Sequence, residues 1–180
     1  MLIVIGGPIA SGKSTAARAL AQEFERRGLT AAAVDLDVVY DMLEPNGAPK
    51  DQALKWFRAR RVAAALADAL LAEGIAVVIV EGDFLAPSER AEFVDALRSH
   101  AVVSFVTLRV SFDLALERVR RDPTRGISRD PAFLRRHYEA TDEAVRNRPP
   151  TDLTLDTGLI SIEEAARSIA ERVSERVGTR

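Results

Sequence analysis

One motif constrains the fold of this chain more than any other feature. Residues Gly7 to Ser14 read GPIASGKS and satisfy the pattern G-x-x-x-x-G-K-[ST] at every constrained position. Before the motif, residues 2–5 form a short β-branched apolar run; after it, residues 14–27 have helical spacing and stop at Gly28. A strand, this loop and a helix, in that order, is the context in which the motif cradles phosphate groups.

The residue types of the loop suit phosphate binding for definite reasons. Gly7 and Gly12 permit backbone conformations and close approaches that a Cβ atom would block. Successive N–H groups and the following helix N-terminus then attract phosphate oxygens, while Lys13 reaches the β- and γ-phosphates. Ser14 offers a hydroxyl to Mg²⁺, with Thr15 as the less favoured alternative. The predicted nucleotide-binding residues are Gly7, Ala10, Ser11, Gly12, Lys13, Ser14 and Thr15; Lys13 is also predicted to be catalytic and Ser14 to bind metal.

Apolar runs alternate with helical patterns along the rest of the chain, which predicts an α/β fold with a parallel sheet covered on both faces. The chain of 180 residues is expected to be a single domain, 1–180. Strands are predicted at 2–5, 31–34, 75–80, 102–108 and 152–155, and helices at 14–27, 51–73, 88–99, 112–121, 131–146 and 161–177.

Composition excludes several other chemistries. Cysteine is absent, and His100 and His137 share no ligand spacing, so a thiol nucleophile and a zinc site are not expected. A net charge of −2 argues against a general nucleic-acid-binding protein. The start of the chain lacks a basic leader, and the central apolar run at 75–80 is far too short for a membrane span. We expect a cytoplasmic protein that does not bind membranes.

Acidic residues follow the second and third predicted strands, where ligands of open parallel sheets bind. Asp35 is predicted to be catalytic and to serve Mg²⁺, either as the base or through a metal-bound water. Asp37, Glu81 and Asp83 are predicted to contact substrate. The structural alternative is that Asp37 caps a helix starting at Val38 and that Asp83 closes a turn.

An arginine-rich stretch interrupted by Pro123 and Gly126 is predicted to be a mobile loop that closes over phosphates. Its alternative is a solvated helix face with salt bridges. Seven arginines lie between Glu117 and Arg136: Arg118, Arg120, Arg121, Arg125, Arg129, Arg135 and Arg136. Arg118, Arg121 and Arg125 are the predicted phosphate contacts, Arg121 and Arg125 as catalytic residues and Arg118 as a nucleotide-binding one. Arg135 and Arg136 are assigned to the surface.

Taken together, these residues resemble the small P-loop kinases, the group that includes shikimate kinase, gluconate kinase, adenylylsulfate kinase and chloramphenicol phosphotransferase. The resemblance implies a three-layer P-loop NTPase fold with a five-stranded parallel sheet in the order 2-3-1-4-5 and a small lid at about 118–135. It also implies ATP and Mg²⁺ as cofactors, Arg118 over the nucleotide and Thr157 beside the base. By the same resemblance the substrate region lies at about 38–61, with Tyr40, Arg58 and Arg61 as contacts and with Trp56 and Phe57 as either contacts or core.

The function predicted first is transfer of the γ-phosphate of ATP to a hydroxyl of a small molecule, such as a metabolite, a sugar acid or an antibiotic-like acceptor. One alternative is a nucleoside, nucleotide or polynucleotide kinase, in which Arg58, Arg60 and Arg61 would bind an acceptor phosphate. An alternative of another class is a nucleotide-dependent switch ATPase. The chain is expected to act as a monomer or homodimer, and the sequence does not identify the acceptor.

Overall fold

A computed structural model describes residues 1–43, 51–146 and 153–178 of the chain. The strands there are β1 (Leu2–Gly6), β2 (Ala31–Asp35), β3 (Val77–Gly82), β4 (Val103–Arg109) and β5 (Leu153–Asp156). The helices are α1 (Lys13–Arg26), α2 (Leu36–Met42), α3 (Gln52–Ala72), α4 (Pro87–Val94), α5 (Phe112–Arg121), α6 (Pro131–Arg146) and α7 (Ile162–Gly178), with a 3₁₀ turn at Ile127–Arg129 before α6.

All five strands are parallel and lie in the order β2-β3-β1-β4-β5, which confirms the predicted sheet. The central strand β1 is buried along its whole length, as its continuous apolar sequence predicts. The register pairs Asp35 with Glu81 and Gly6 with Gly82. The carboxyl ends of β1, β2 and β3 therefore meet at one edge, beside the glycine-rich loop.

Helices cover both faces of the sheet and give the three layers expected of the fold. On one face α1 and α7 bury Phe24 and Ile169 against the sheet. On the other face α2, α3 and α4 contribute Leu36, Ala63 and Phe93. Each layer buries the apolar stripe of its helices, which is the main stabilising interaction of such a fold.

A third, smaller apolar cluster connects the glycine-rich loop to the helices after β4. Its buried members, which we call the α5–α6 cluster, are Ala10, Val110, Ala115, Val119, Leu134 and Tyr138. Ala10 is the member that belongs to the loop. Helices α5 and α6 therefore pack against the loop, which is also connected along the chain to β1 and α1.

A helix in this region was predicted only as an alternative starting at Val38, and the observed helix α2 changes the interpretation of two carboxylates. Asp35 is its N-cap: Oδ1 accepts hydrogen bonds from the Asp37 N–H at 2.8 Å and the Val38 N–H at 3.4 Å. The alternative in which Asp37 caps a helix starting at Val38 is therefore wrong, because the helix starts at Leu36 and its cap lies one residue earlier.

Two helix ends show how side chains set the boundaries. The helix predicted over 88–99 ends at Val94, because the N–H groups of Arg98 and Ser99 bond to the Asp68 carboxylate at 2.7 and 3.1 Å rather than to helical carbonyls. The predicted capping box of α7 is confirmed by reciprocal bonds between Ser161 and Glu164 at 2.8 and 3.1 Å. Within the described ranges, no helix combines the length and apolarity needed to cross a membrane.

Candidate active site

The glycine-rich loop is held tightly against β4. A Cβ atom on Gly7 would lie 2.6 Å from the Leu108 carbonyl oxygen and 2.6 Å from Ser11 Oγ, so only glycine fits there. Gly12 has φ 89° and Ala10 has φ 63°, two left-handed residues that turn the chain sharply. Left-handed residues within such a loop produce a concave row of backbone N–H groups, which binds anions.

Helix α1 adds its positive end to the same concavity. Its cap is Gly12, which has no side chain to satisfy the first N–H groups, and the first intrahelical bond runs from the Ala16 N–H to the Gly12 carbonyl at 2.8 Å. By helix geometry the N–H groups of Lys13, Ser14 and Thr15 have no intrahelical acceptor. They are therefore available to phosphate oxygens, together with the partial positive charge of the helix end.

Lys13 lies across the loop. Its ammonium donates to the Gly7 carbonyl at 2.9 Å and to the Pro8 carbonyl at 3.3 Å, and it lies 3.8 Å from Asp83 Oδ1. The side chain is largely buried, at 12% exposure. The cation is thus positioned between the loop and an acidic residue at the end of β3.

Glu81 is the most perturbed carboxylate of the site. Burial raises its pKa to about 7, and the adjacent Asp35 carboxylate adds to this increase, whereas a hydrogen bond with Ser14 and the charge of Lys13 oppose it. At neutral pH both the protonated and the ionised form of the Glu81 carboxyl are therefore populated. The group lies beside both residues predicted to serve Mg²⁺.

The oxygen donors here fit Mg²⁺ chemically. Asp35, Glu81 and the Ser14 hydroxyl are hard oxygen ligands that interact with one another. In the described part of the chain no group of three or more acidic or histidine side chains forms a complete metal site. Mg²⁺ in proteins commonly takes one or two carboxylates and completes its shell with water and substrate phosphates, which matches this arrangement.

Two further carboxylates, Asp37 and Asp83, lie near Lys13. The cleft excludes part of the water around the Asp37 carboxylate, and this desolvation raises its pKa. The charge of Lys13 opposes the increase, whereas the negative charges of Asp83, Asp35 and Asp41 add to it. Both carboxylates are thus close enough to Lys13 for its charge to act on them. The Lys13 ammonium is thus surrounded by acidic groups as well as by the carbonyls of the loop.

Lys13, Ser14 and the carboxylates of Asp35, Asp37 and Glu81 line one open cleft with a volume of about 420 Å³, whereas Asp83 is not part of its lining. A second cavity of about 300 Å³ adjoins the cleft at Ala10, Gly12 and Thr15. Arg118 and Ile162 line only the second cavity. The larger cleft is lined by Ala10, Gly12, Lys13, Ser14, Thr15, Arg18, Asp35, Asp37, Glu81, Asp122, Thr124 and Arg125. Arg18 and Thr124 were not predicted; Arg18 lies one helical turn after Ser14, and this spacing is the signal that would have identified it.

Arg118 connects three parts of the site. Its guanidinium donates to the Ala10 carbonyl at 3.0 Å, to Thr157 Oγ1 at 3.0 Å and to the Thr157 carbonyl at 2.7 Å. The Thr157 hydroxyl in turn donates to the Ser11 carbonyl at 2.9 Å. Arg118 and Thr157 therefore brace the loop against the end of β5; Arg118 also lines the smaller cavity, whereas the buried Thr157 does not.

The other two predicted arginines are placed differently from each other. Arg125 lines the larger cleft and pairs with Asp122 at 3.1 Å. Arg121 is 78% exposed and pairs with Glu117 on the outer face of α5. In this arrangement Arg125 lies at the cleft and Arg121 lies outside it.

In the region predicted to bind substrate, 38–61, residues 44–50 lie outside the described ones. Tyr40 stacks on Trp56 with ring centroids 4.0 Å apart, and the buried Lys55 ammonium lies 4.0 Å from the centre of the Tyr40 ring. Tyr40 and Trp56 also pack against the core under α2 and α3. The contacts of Tyr40 with Trp56 and Lys55 connect α2 to the N-terminal half of α3.

Arginines of α3 differ in their accessibility. Arg58 and Arg61 are exposed, and Arg61 lies 5.6 Å from the centre of the Phe57 ring, which is itself 37% exposed. Phe57 is therefore a surface residue rather than core. Arg60 is buried and donates to Glu89 at 2.9 Å and Glu92 at 2.8 Å, so its charge joins α3 to α4.

Sequence reasoning missed two contacts from α6 to the loop. The Ile9 N–H donates to His137 Nε2 at 3.1 Å, and the Tyr138 hydroxyl donates to the Ile9 carbonyl at 2.9 Å. More than 120 residues separate the partners, and no local pattern around His137 indicates the contact.

A parallel sheet with this strand order and a phosphate-binding loop between its central strand and α1 defines a P-loop protein with the fold of the small P-loop kinases. The sequence profile of the family described as AAA domain matches residues 2–149, and the chain belongs to that family. No curated protein sequence matches the chain significantly.

Three solved structures illustrate the shared fold. The APS kinase CysC of Mycobacterium tuberculosis, in complex with AMPPNP and APS, has a TM-score of 0.67 at 21% identity, covering 96% of each chain. The shikimate kinase of Acinetobacter baumannii has a TM-score of 0.64 at 19% identity, covering 97% of this chain and 93% of that one. A gluconokinase of Sinorhizobium meliloti 1021 has a TM-score of 0.60 at 20% identity, covering 98% and 95%.

Proposed function

We propose that this protein is a kinase that uses ATP and Mg²⁺ to phosphorylate a hydroxyl group of a small molecule. The observation that carries the proposal is the shared cleft, in which the phosphate loop and Lys13 face the carboxylates at the ends of β2 and β3. A phosphate donor site and hydrogen-bond acceptors for a hydroxyl are the two components that such a transfer requires. The kinases of similar fold support the same class of reaction.

In this proposal the loop N–H groups and Lys13 bind the β- and γ-phosphates, and the nucleotide extends past Arg118 into the smaller cavity, with Thr157 holding the Arg118 guanidinium in place. Ser14 and Asp35, with Glu81 beside them, would hold Mg²⁺, which would neutralise charge on the phosphates. A cation there favours the ionised form of Glu81 and brings its pKa down.

Asp37 is the proposed partner of the acceptor hydroxyl. Asp35 already uses one oxygen to cap α2 and lies against Glu81, which assigns it to the metal side, whereas Asp37 is exposed to the cleft. The raised pKa of Asp37 makes its carboxylate a stronger proton acceptor near neutral pH. The acceptor oxygen attacks the γ-phosphorus, ADP leaves, and the hydroxyl proton passes to the carboxylate.

Transfer also needs positive charge around the moving phosphoryl group. Lys13 supplies it from the loop and Arg125 from the lid at about 118–135, after exchanging its pairing with Asp122 for phosphate oxygens. Arg121 would contribute only if the lid rotated its exposed side chain inward. Catalysis in this proposal rests on positioning and electrostatic stabilisation rather than on covalent chemistry.

The charges of the acceptor side favour a neutral or cationic acceptor. Asp37 lines the cleft, Asp83 lies 3.8 Å from the Lys13 ammonium, and the buried Arg60 is held by two glutamates instead of being directed to the cleft. A polynucleotide or nucleotide acceptor would bring further negative charge next to these carboxylates. The small-molecule kinase is therefore preferred over the nucleotide-kinase alternative.

The test is a panel of acceptors scored by ADP release with ATP and Mg²⁺. Neutral polyols, amino sugars, sugar acids, nucleosides and oligonucleotides form the arms of the panel. Stimulation by polyols or amino sugars that is lost in Lys13→Ala and Asp37→Asn supports the proposal, while Asp95→Asn, an exposed acid beyond α4, serves as the matched control. ADP release that no acceptor stimulates would instead support a switch ATPase.

A further inference from the structure

Helix α6 holds one residue of the phosphate loop by both of its backbone groups. His137 Nε2 accepts from the Ile9 N–H at 3.1 Å, and the Tyr138 hydroxyl donates to the Ile9 carbonyl at 2.9 Å. The next residue, Ala10, is held in a left-handed conformation that costs a non-glycine residue about 1 kcal/mol. Fixing Ile9 on both sides therefore restrains the strained part of the loop.

The contact with His137 depends on the protonation state of the ring. An imidazole nitrogen that accepts a hydrogen bond carries a lone pair, so neutral His137 bears its proton on Nδ1. Protonation would place a second N–H on Nε2, directly opposite the Ile9 N–H. Two donors would then face each other, and the hydrogen bond would be replaced by repulsion.

Its surroundings favour the neutral ring. Burial lowers the pKa of His137 below its ordinary value of 6.5; Asp83, at the end of β3, opposes this effect, and Lys13 of α1 adds to it. The other charged groups of the elements around His137 have other partners or face solvent. Arg118 of α5 bonds to Ala10 and Thr157, Asp142 of α6 acts on Tyr138, and Arg135 lies over the Phe112 ring. The exposed groups are Arg129, Asp130, Arg136 and Glu139.

We propose that His137 is a positioning residue whose neutral imidazole keeps the phosphate loop in its nucleotide-binding conformation, and that its protonation releases Ile9 and weakens nucleotide binding. This inference rests on the proposed function only in treating the loop as the nucleotide site. It assigns to α6 a direct effect on the loop, in addition to the covering role of the neighbouring lid.

The first experiment measures the dissociation constant of a non-hydrolysable ATP analogue with Mg²⁺ from about pH 5 to 8. His137→Gln keeps an acceptor but does not titrate, so it should bind like the wild type at neutral pH and lose less affinity in acid. His137→Leu, without an acceptor, should bind about tenfold more weakly at neutral pH. His100→Gln, the same change at the exposed histidine, should leave the wild-type profile unaltered.

Comparison with His137→Gln isolates the histidine, because Glu81 and the nucleotide phosphates titrate in both proteins. A His137→Gln profile that follows the wild type at every pH would overturn the proposal. Tyr138→Phe removes the bond to the Ile9 carbonyl but leaves His137 in place, so it should retain the acid-induced loss. If His137→Leu does not fold, these two variants still decide the question.

A second readout uses the protein without nucleotide. The ¹⁵N–¹H resonance of Ile9 should titrate together with the His137 ring in the wild type and should lose that titration in His137→Gln. An Ile9 resonance that ignores the His137 titration would refute the proposed contact. If the wild type bound no nucleotide at any pH, the proposed function would fail, while this measurement would still test the loop contact.

Discussion

At the scale of single residues, the site is a group of charged side chains whose electrostatic interactions depend on one another. Lys13 is bonded to the Gly7 and Pro8 carbonyls and lies near Asp83, while Glu81 is buried beside Asp35. Removing any one of these groups changes the electrostatic balance of the rest, because burial strengthens charge interactions. Three predictions belong to this scale.

Lys13→Ala should lower acceptor-dependent ADP release by about 100-fold or more, because it removes the cation proposed to face the β- and γ-phosphates. Its melting temperature should change little, since the side chain donates its hydrogen bonds to two loop carbonyls and its ion pair with Asp83 is long, at 3.8 Å. Arg120→Ala, which removes an exposed cation of α5, is the control. Turnover close to that of the wild type would exclude Lys13 from the chemistry.

Asp35 has two separable roles, and two substitutions distinguish them. Asparagine keeps the oxygen that caps α2, so Asp35→Asn should fold with nearly normal stability and lose turnover through the missing charge. Asp35→Ala should lose the cap as well, at about 1 kcal/mol. Urea unfolding and initial rates measure the two effects; equal turnover in Asp35→Asn and the wild type would contradict the metal role.

Glu81 should make stability depend on pH in a defined direction. Its pKa is 4.5 ordinarily and about 7 in the fold, so between these values the folded protein binds more protons than the unfolded chain. The free energy of unfolding should therefore decrease as pH rises through this window. Glu81→Gln should remove this contribution in urea titrations without ligand, whereas Asp95→Asn should keep it.

At the scale of elements, side chains from distant segments fix the loop between β1 and α1. Arg118 of α5 and Thr157 after β5 bond to the carbonyls of Ala10 and Ser11, and α6 bonds to Ile9. The loop is therefore positioned by three elements in addition to its own glycines. Such bracing keeps binding groups in place before a ligand arrives.

Arg118→Ala should destabilise the protein by about 3 kcal/mol. The substitution removes the charged donor of three hydrogen bonds, one to the Ala10 carbonyl and two to Thr157. Arg118→Lys should recover only part of this, since an ammonium lacks the planar fork of a guanidinium. Urea unfolding measures both, with Arg120→Ala as the matched control. A destabilisation of Arg118→Ala no larger than that of Arg120→Ala would refute the brace.

Sequence patterns predicted the elements and the loop because both depend on contiguous residues. The strand order followed from a family resemblance carried mainly by the motif. The helix α2 was predicted only as an alternative with the wrong start, because its cap, Asp35, also ends a strand and was interpreted first as a site residue. The contact of Ile9 with His137 was not predictable locally, because it depends on how α6 packs after folding.

At the scale of the whole molecule, ligand binding and folding are linked. A non-hydrolysable ATP analogue with Mg²⁺ at about 100 times its dissociation constant should raise the free energy of unfolding by about 2.7 kcal/mol. Lys13→Ala should show a much smaller increase at the same concentration. A thermal shift series measures this, and identical shifts in both proteins would place nucleotide binding outside the loop.

The α5–α6 cluster has a consequence for motion. Ala10 shares this small apolar core with Leu134 and Tyr138, so the loop cannot detach from the helices without exposing buried methyl and ring groups to water. Loop and helices should then open as one cooperative unit, visible in hydrogen exchange as matched protection of the Ile9 and α6 amides. Opening of this unit, rather than independent flexing of a glycine-rich segment, would set how often the phosphate site comes apart.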